Sequence, residues 1–185
     1  MYGLVNKAIE QMVRGAHGPE MWERIKADAD IDAEGFISNQ PYPDEMTYRL
    51  VAAASSALDT PQEDILRAFG EHWVLHTALE SYGPMMRAMG KTLKEFLQKL
   101  PHLHTRVELI YPDLQPPEFA CHEISDTELD FHYWTKRPAG LEPFVEGLLH
   151  GLGKMFATPV RVELRQDRAE GHDFSVFRVS WNKTD

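Results

Sequence analysis

The sequence predicts an α+β fold: a mostly helical N-terminal part, then a small four-stranded antiparallel sheet interrupted by one long helix. Three observations predict it. Apolar residues recur at helical spacing from the first residues to about residue 100. After the proline-rich stretch YPDLQPPEF the apolar period changes to two. Late in the chain, LEPFVEGLLHGLGKMF returns to helical spacing between two pairs of alternating segments.

Each element follows in order. Leu4, Val5, Ala8, Ile9 and Met12 mark an amphipathic first helix. GPEMWERIKADA is a second, with Pro19 in its first turn. ISNQPYPDE is a loop by its prolines, and DEMTYRLVAAASSAL is the next helix. TPQEDILRAFGEHWVLHTAL is predicted to start with Thr60 as N-cap, Pro61 at the first position and Glu63 at the third. KTLKEFLQKL is a further helix that Pro101 is expected to kink or restart. FACHEISDTELDFHYWTKR reads as a hairpin around SDTE. The long late helix puts Leu141, Phe144, Val145, Leu148, Leu149 and Leu152 on one broad face. Two last strands follow, one alternating Val160, Val162 and Leu164, the other carrying Phe174, Val176, Phe177 and Val179. There is no internal repeat, so residues 1–185 are expected to form one domain.

Charge and composition exclude several classes. The chain has 29 acidic and 19 basic residues, a net charge of −10, and no basic run. That argues against nucleic acid and anionic membranes as partners. No apolar stretch is long enough to span a bilayer, and the N-terminus lacks the features of a signal peptide, so a cytoplasmic protein is expected. The single cysteine, Cys121, allows no disulfide within the chain. No GxSxG elbow, phosphate loop or CxxC pair is present, and an enzyme is not expected.

The histidines are the remaining candidates for chemistry. His72 and His76 share a helical face, but HWVLH lacks the glutamate of a zinc-protease motif, and a surface pair is the simpler reading. His104 falls on the apolar stripe of Leu93, Phe96, Leu97 and Leu100. A histidine so placed is usually a core residue bonded to a backbone carbonyl; as a ligand, it would suit the proximal side of a haem. In FHYWTKRP, strand alternation puts Phe131, Tyr133, Thr135 and Arg137 on one face and His132, Trp134 and Lys136 on the other. A polar face of this kind ordinarily meets water.

Taken together, MYGLVNKAIEQMV, LVAAAS, AFGEHWV, FLQKLPHLHTRVELIYP, PPEF, YWTKR and GLLHGLGKMF resemble the haem–nitric oxide/oxygen binding (H-NOX) family. Its members include the haem domain of the soluble guanylate cyclase beta subunit and stand-alone bacterial sensors, and the cyanobacterial ones look nearest. The resemblance implies one haem b with His104, not His102, on the iron. It implies that Tyr133, Thr135 and Arg137 hold the haem carboxylates, with threonine where the family motif has serine, and that Asp44 braces the arginine. Pro117 matches a proline that presses on the haem. Leu4, Val5, Leu97, Leu100 and Leu148 are implied as apolar contacts, and Trp73, Thr77 and Phe144 as the distal pocket. Phe144 stands where oxygen-binding members carry a tyrosine. The implied function is therefore sensing of nitric oxide, with carbon monoxide as a second ligand, through a weakened iron–His104 bond. No output domain is expected after the last strand, so the implied partner is a separate histidine kinase or cyclic-nucleotide signalling enzyme. An oxygen sensor on the same fold and a metal-free small-molecule binding module are the alternatives.

Overall fold

The computed structural model describes residues 1–109, 111 and 114–183. Pro112 and Asp113, in the expected proline-rich connection, and Ile110 just before it lie outside the described residues. The helices are α1 (Gly3–His17), α2 (Pro19–Asp28), α3 (Asp44–Leu58), α4 (Gln62–His72), α5 (Leu79–Met89), α6 (Leu93–Glu108) and α7 (Glu142–Met155). The strands are β1 (Glu118–Ser125), β2 (Glu128–Trp134), β3 (Val160–Gln166) and β4 (Ser175–Trp181). They form one antiparallel sheet in the order β1-β2-β4-β3, and α7 lies between β2 and β3 in sequence. The fold is thus α+β, with the element order expected from the apolar periods. No helix of the described residues is long and apolar enough to cross a membrane.

Local chemistry explains most boundaries. Gly18, at φ 85°, turns the chain between α1 and α2 at a backbone angle that suits glycine, and Pro19 then opens α2. Thr92 caps α6 by accepting a hydrogen bond from Glu95 N at 3.2 Å, while Glu95 Oε2 accepts from Lys91 N at 2.9 Å. The expected cap of α4 differs. The Thr60 hydroxyl donates back to Leu58 O at 3.0 Å, and α4 begins at Gln62 with Pro61 in the capping position. Pro101 does not restart α6, which runs from Leu93 to Glu108 with the proline inside it.

The apolar spacing does not reveal what happens after α4. Residues Trp73–Ala78 form a π-helical turn, and α5 continues from it with Pro84 inside. A π-turn holds one residue more per turn than an α-helix and so rotates the positions that follow.

Two apolar clusters build the core. One joins α1 to α4 around Trp22, Ile25, Leu50 and Phe69. The other joins α5, α6 and α7 to the inner face of the sheet, where Leu129, Phe131, Tyr133, Phe177 and Val179 are buried. Trp73 packs against both clusters. Helices α4 and α7 approach closely because glycines face the contact: a Cβ on Gly70 would lie 2.2 Å from Phe144 O, and one on Gly147 would lie 2.1 Å from Arg67 O.

Candidate functional site

Between the two clusters lies a cavity of about 290 Å³ with mainly apolar walls. Leu4 and Val5 of α1 line it, with Val51 of α3 and Phe69, Trp73, Val74 and Ala78 along the α4–α5 helix. Phe96, Leu100, Leu103 and His104 come from α6, Phe119 and Phe131 from the sheet, and Phe144 and Leu148 from α7.

His104 lies on one wall. It is half-buried, while His102 is exposed. His104 Nδ1 lies 3.2 Å from Pro117 O, and a carbonyl can only accept, so Nδ1 carries the hydrogen and Nε2 the lone pair. Burial lowers the imidazole pKa, opposed by that carbonyl, and so favours the neutral ring. The Phe119 ring fixes its tilt at 5.2 Å. Pro117 also lines the cavity.

The polar end is built from β2 and the turn after it. Tyr133 is 3% exposed on the inner face of β2. Its phenol is pushed up to about 12, chiefly by burial, and so stays a donor. The strand stops at Trp134, however, so one continuous strand face does not carry all three predicted anchors. Beyond it Thr135 Oγ1 accepts from Arg137 N at 3.2 Å, a tight turn that still leaves Thr135 and Arg137 on the cavity. Arg137 Nε donates to Asp44 Oδ2 at 2.7 Å and Nη1 to Gln115 O at 2.7 Å. Its own carbonyl accepts from Arg168 Nη2 at 2.6 Å. Burial opposes charge on Asp44, but hydrogen bonds from the Met1 amino group and Arg137 outweigh it and hold the carboxyl below its usual range. Gln115 and Arg168 carry no sequence signal for this role, because both reach Arg137 from distant segments.

Two expected positions fall elsewhere. Thr77 is buried but does not line the cavity; the wide π-turn brings Ala78 to that wall with Trp73 and Val74. Leu97 is fully buried in the core, and its neighbours Phe96 and Leu100 take the cavity positions. On the wall shared by α4 and α7 the Phe144 ring lies 5.1 Å from Phe69, and Phe69 lies 6.2 Å from Trp73. His72 is half-buried, not part of a surface pair; it stacks on the exposed His76 at 4.5 Å. Among the described residues, no cluster of three or more His, Cys, Asp or Glu could hold a metal ion.

The site therefore pairs apolar walls and one imidazole lone pair with a guanidinium and hydroxyls at one end. That donor set fits a flat apolar group carrying a metal and carboxylates, which is the chemistry of a haem. The comparisons agree. The Haem-NO-binding family model matches residues 2–164. Soluble guanylate cyclase gcy-35 of Caenorhabditis elegans is 29% identical over 95% of this chain, which covers 26% of that protein. The chain spans about a quarter of the length of the curated relatives it matches. Among solved structures, an H-NOX protein from S. oneidensis in the Fe(II) state, carrying three alanine substitutions, superposes with a TM-score of 0.91 at 17% identity, covering 100% of this chain and 98% of that one. Structures from S. oneidensis in the Fe(II)NO and Fe(II)CO states superpose at 0.89 and 0.87. An oxygen-binding H-NOX domain, solved as its oxygen complex, superposes at 0.81 with 18% identity, covering 99% of this chain and 96% of that one. With the family model spanning most of the sequence and the fold shared over its whole length, the chain belongs to the H-NOX family of haem-binding domains.

Proposed function

We propose that residues 1–185 act as one cytoplasmic haem-based gas sensor that binds nitric oxide and carbon monoxide and signals to a separate protein rather than catalysing a reaction. The observation that carries this reading is the His104–Pro117 pair, which orients an imidazole lone pair on the wall of an apolar cavity. The bound group is haem b, and when bound it supplies the ferrous iron at which the gas is taken up.

The chain's own residues supply the rest. His104 would hold the iron through Nε2 while Nδ1 stays on Pro117 O. Tyr133, Thr135 and Arg137 would neutralise and orient the haem carboxylates, with Asp44 bracing Arg137. Phe144 and Trp73 close the distal side. Phe144 offers no hydrogen-bond donor, which favours nitric oxide and carbon monoxide over the more polar bound oxygen. Were nitric oxide to weaken the hold of His104, α6 would be free to shift and, through the Nδ1 contact, to pull on Pro117. Two residues before it, the Gln115 carbonyl accepts from Arg137, so such a pull would reach Arg137 and, through Asp44, α3. A partner that binds the two states unequally reads this shift. Haem domains of guanylate cyclases and stand-alone sensors suggest a histidine kinase or a cyclic-nucleotide signalling enzyme as that partner.

One observation favours a second reading. The Trp73 indole lines the cavity and carries an N–H, so a distal donor for oxygen is available. The visible spectrum separates the two. The ferrous protein is expected to form a stable nitrosyl complex and no stable oxygen complex, and His104→Ala is expected to lose haem unless imidazole is added. A colourless protein after expression with haem precursor sinks the haem assignment; a lasting ferrous–oxygen spectrum sinks the choice of gas alone.

A further inference from the structure

Several buried side-chain polar atoms have no hydrogen-bond partner among the described residues, and of these the Tyr48 hydroxyl alone belongs to a residue that lines the cavity. Native proteins rarely leave such a group unsatisfied without a reason. Tyr48 lies four residues after Asp44 on α3, so the two share a helical face, and Asp44 is the carboxylate that holds Arg137. The phenol is close enough to feel the charges of both Asp44 and Arg137.

We propose that Tyr48 donates a hydrogen bond to a carboxylate of the bound haem, as a further anchor beside Tyr133, Thr135 and Arg137; the proposal rests on the haem reading above. The groups around the phenol show what it lacks. Arg137 is a donor only and cannot accept its hydrogen. Asp44 accepts from the Met1 amino group and from Arg137 but not from Tyr48, whose hydroxyl makes no hydrogen bond to it. Thr47, on the same wall, spends its hydroxyl on Asn6 Oδ1 at 2.7 Å. Tyr48 is therefore a protonated donor without an acceptor, at the end of the cavity where Arg137 calls for an anion. A carboxylate offers about four acceptor sites, enough for a guanidinium and a phenol together. Burial is the main cause that raises the Tyr48 pKa, which keeps the hydrogen available.

The test compares wild type with Tyr48→Phe, both loaded with haem. Haem transfer to an excess of an apo-haem acceptor protein is followed by absorbance. Loss of a hydrogen bond to a charged carboxylate should speed haem release about tenfold. With the dimethyl ester of haem, which carries no carboxylate charge, the difference between the two proteins should shrink to about twofold or less. Urea unfolding of the haem-free proteins supplies the readout that a packing role would move. Tyr48→Phe should unfold at the same or higher urea, because it removes an unsatisfied buried hydroxyl. Equal release rates overturn the proposal, as does a tenfold difference that persists with the ester or a drop in haem-free stability. A wild type that takes up no haem overturns the haem reading itself, and is seen before the variant is compared.

Discussion

Asp44 joins two parts of the molecule that are far apart in sequence, since Arg137 lies 93 residues away. Its carboxyl pKa is depressed from 3.8, so the sign of its contribution follows. The unfolded carboxyl takes up a proton first as pH falls, so the stability that Asp44 provides is complete above its unfolded value and lost below it. Urea unfolding of wild type and Asp44→Asn from pH 6 to pH 3 should show a gap that is constant down to about pH 4 and then closes. Cys121 gives a second prediction at this scale. Burial pushes its thiol up to about 12, so little thiolate exists near neutrality. Native protein at pH 8 should react with a thiol reagent far more slowly than the same protein unfolded in urea. A native rate equal to the unfolded rate would show that Cys121 is not shielded.

Among the elements, the contact between α4 and α7 governs the cavity wall that carries Phe69, Trp73 and Phe144. Gly70 and Gly147 allow the two backbones to meet, and Arg67 Nε closes the contact on Glu146 at 2.8 Å. A methyl at 147 would collide with backbone that cannot step aside, so Gly147→Ala should destabilise by about 3 kcal/mol, the upper end of the usual overpacking range. Because Phe144 and Leu148 flank that glycine on α7, the same change should alter the spectrum of the carbon monoxide complex in whatever fraction remains folded. Denaturant unfolding and the visible spectrum check the two halves separately. The π-turn is the other device at this scale. It makes Ala78 a cavity residue and Thr77 a core residue. No apolar period marks it, since a π-turn is one irregular turn within an otherwise regular helix.

Across the whole molecule, residues of both apolar clusters line the cavity, and the clusters meet beside it at Trp73, so a ligand that fills the cavity adds contacts to both. Ligand binding to the native state alone should therefore raise stability by about 4 kcal/mol when free haem is 1,000 times its dissociation constant. Thermal or urea unfolding with and without haem measures this, and an unchanged midpoint would sink the idea that the haem bridges the two clusters. His104→Ala, without imidazole, should show most of that gain removed.

The sequence by itself determined the order of the elements, because the periods 3.6 and 2 are local properties of the chain. It also determined the placing of His104 on an apolar helix face and the row of Tyr133, Thr135 and Arg137, together with their likeness to a family motif. Other features were not local. That β2 stops at Trp134 and the chain turns beyond it, that Gln115 and Arg168 join the Asp44 implied by the resemblance in holding Arg137, and that Tyr48, on the cavity wall, has an unpartnered hydroxyl all depend on segments brought together from across the chain. Only the tertiary structure decided these, because hydrogen-bond partners are chosen by proximity in space, which no period along the sequence encodes.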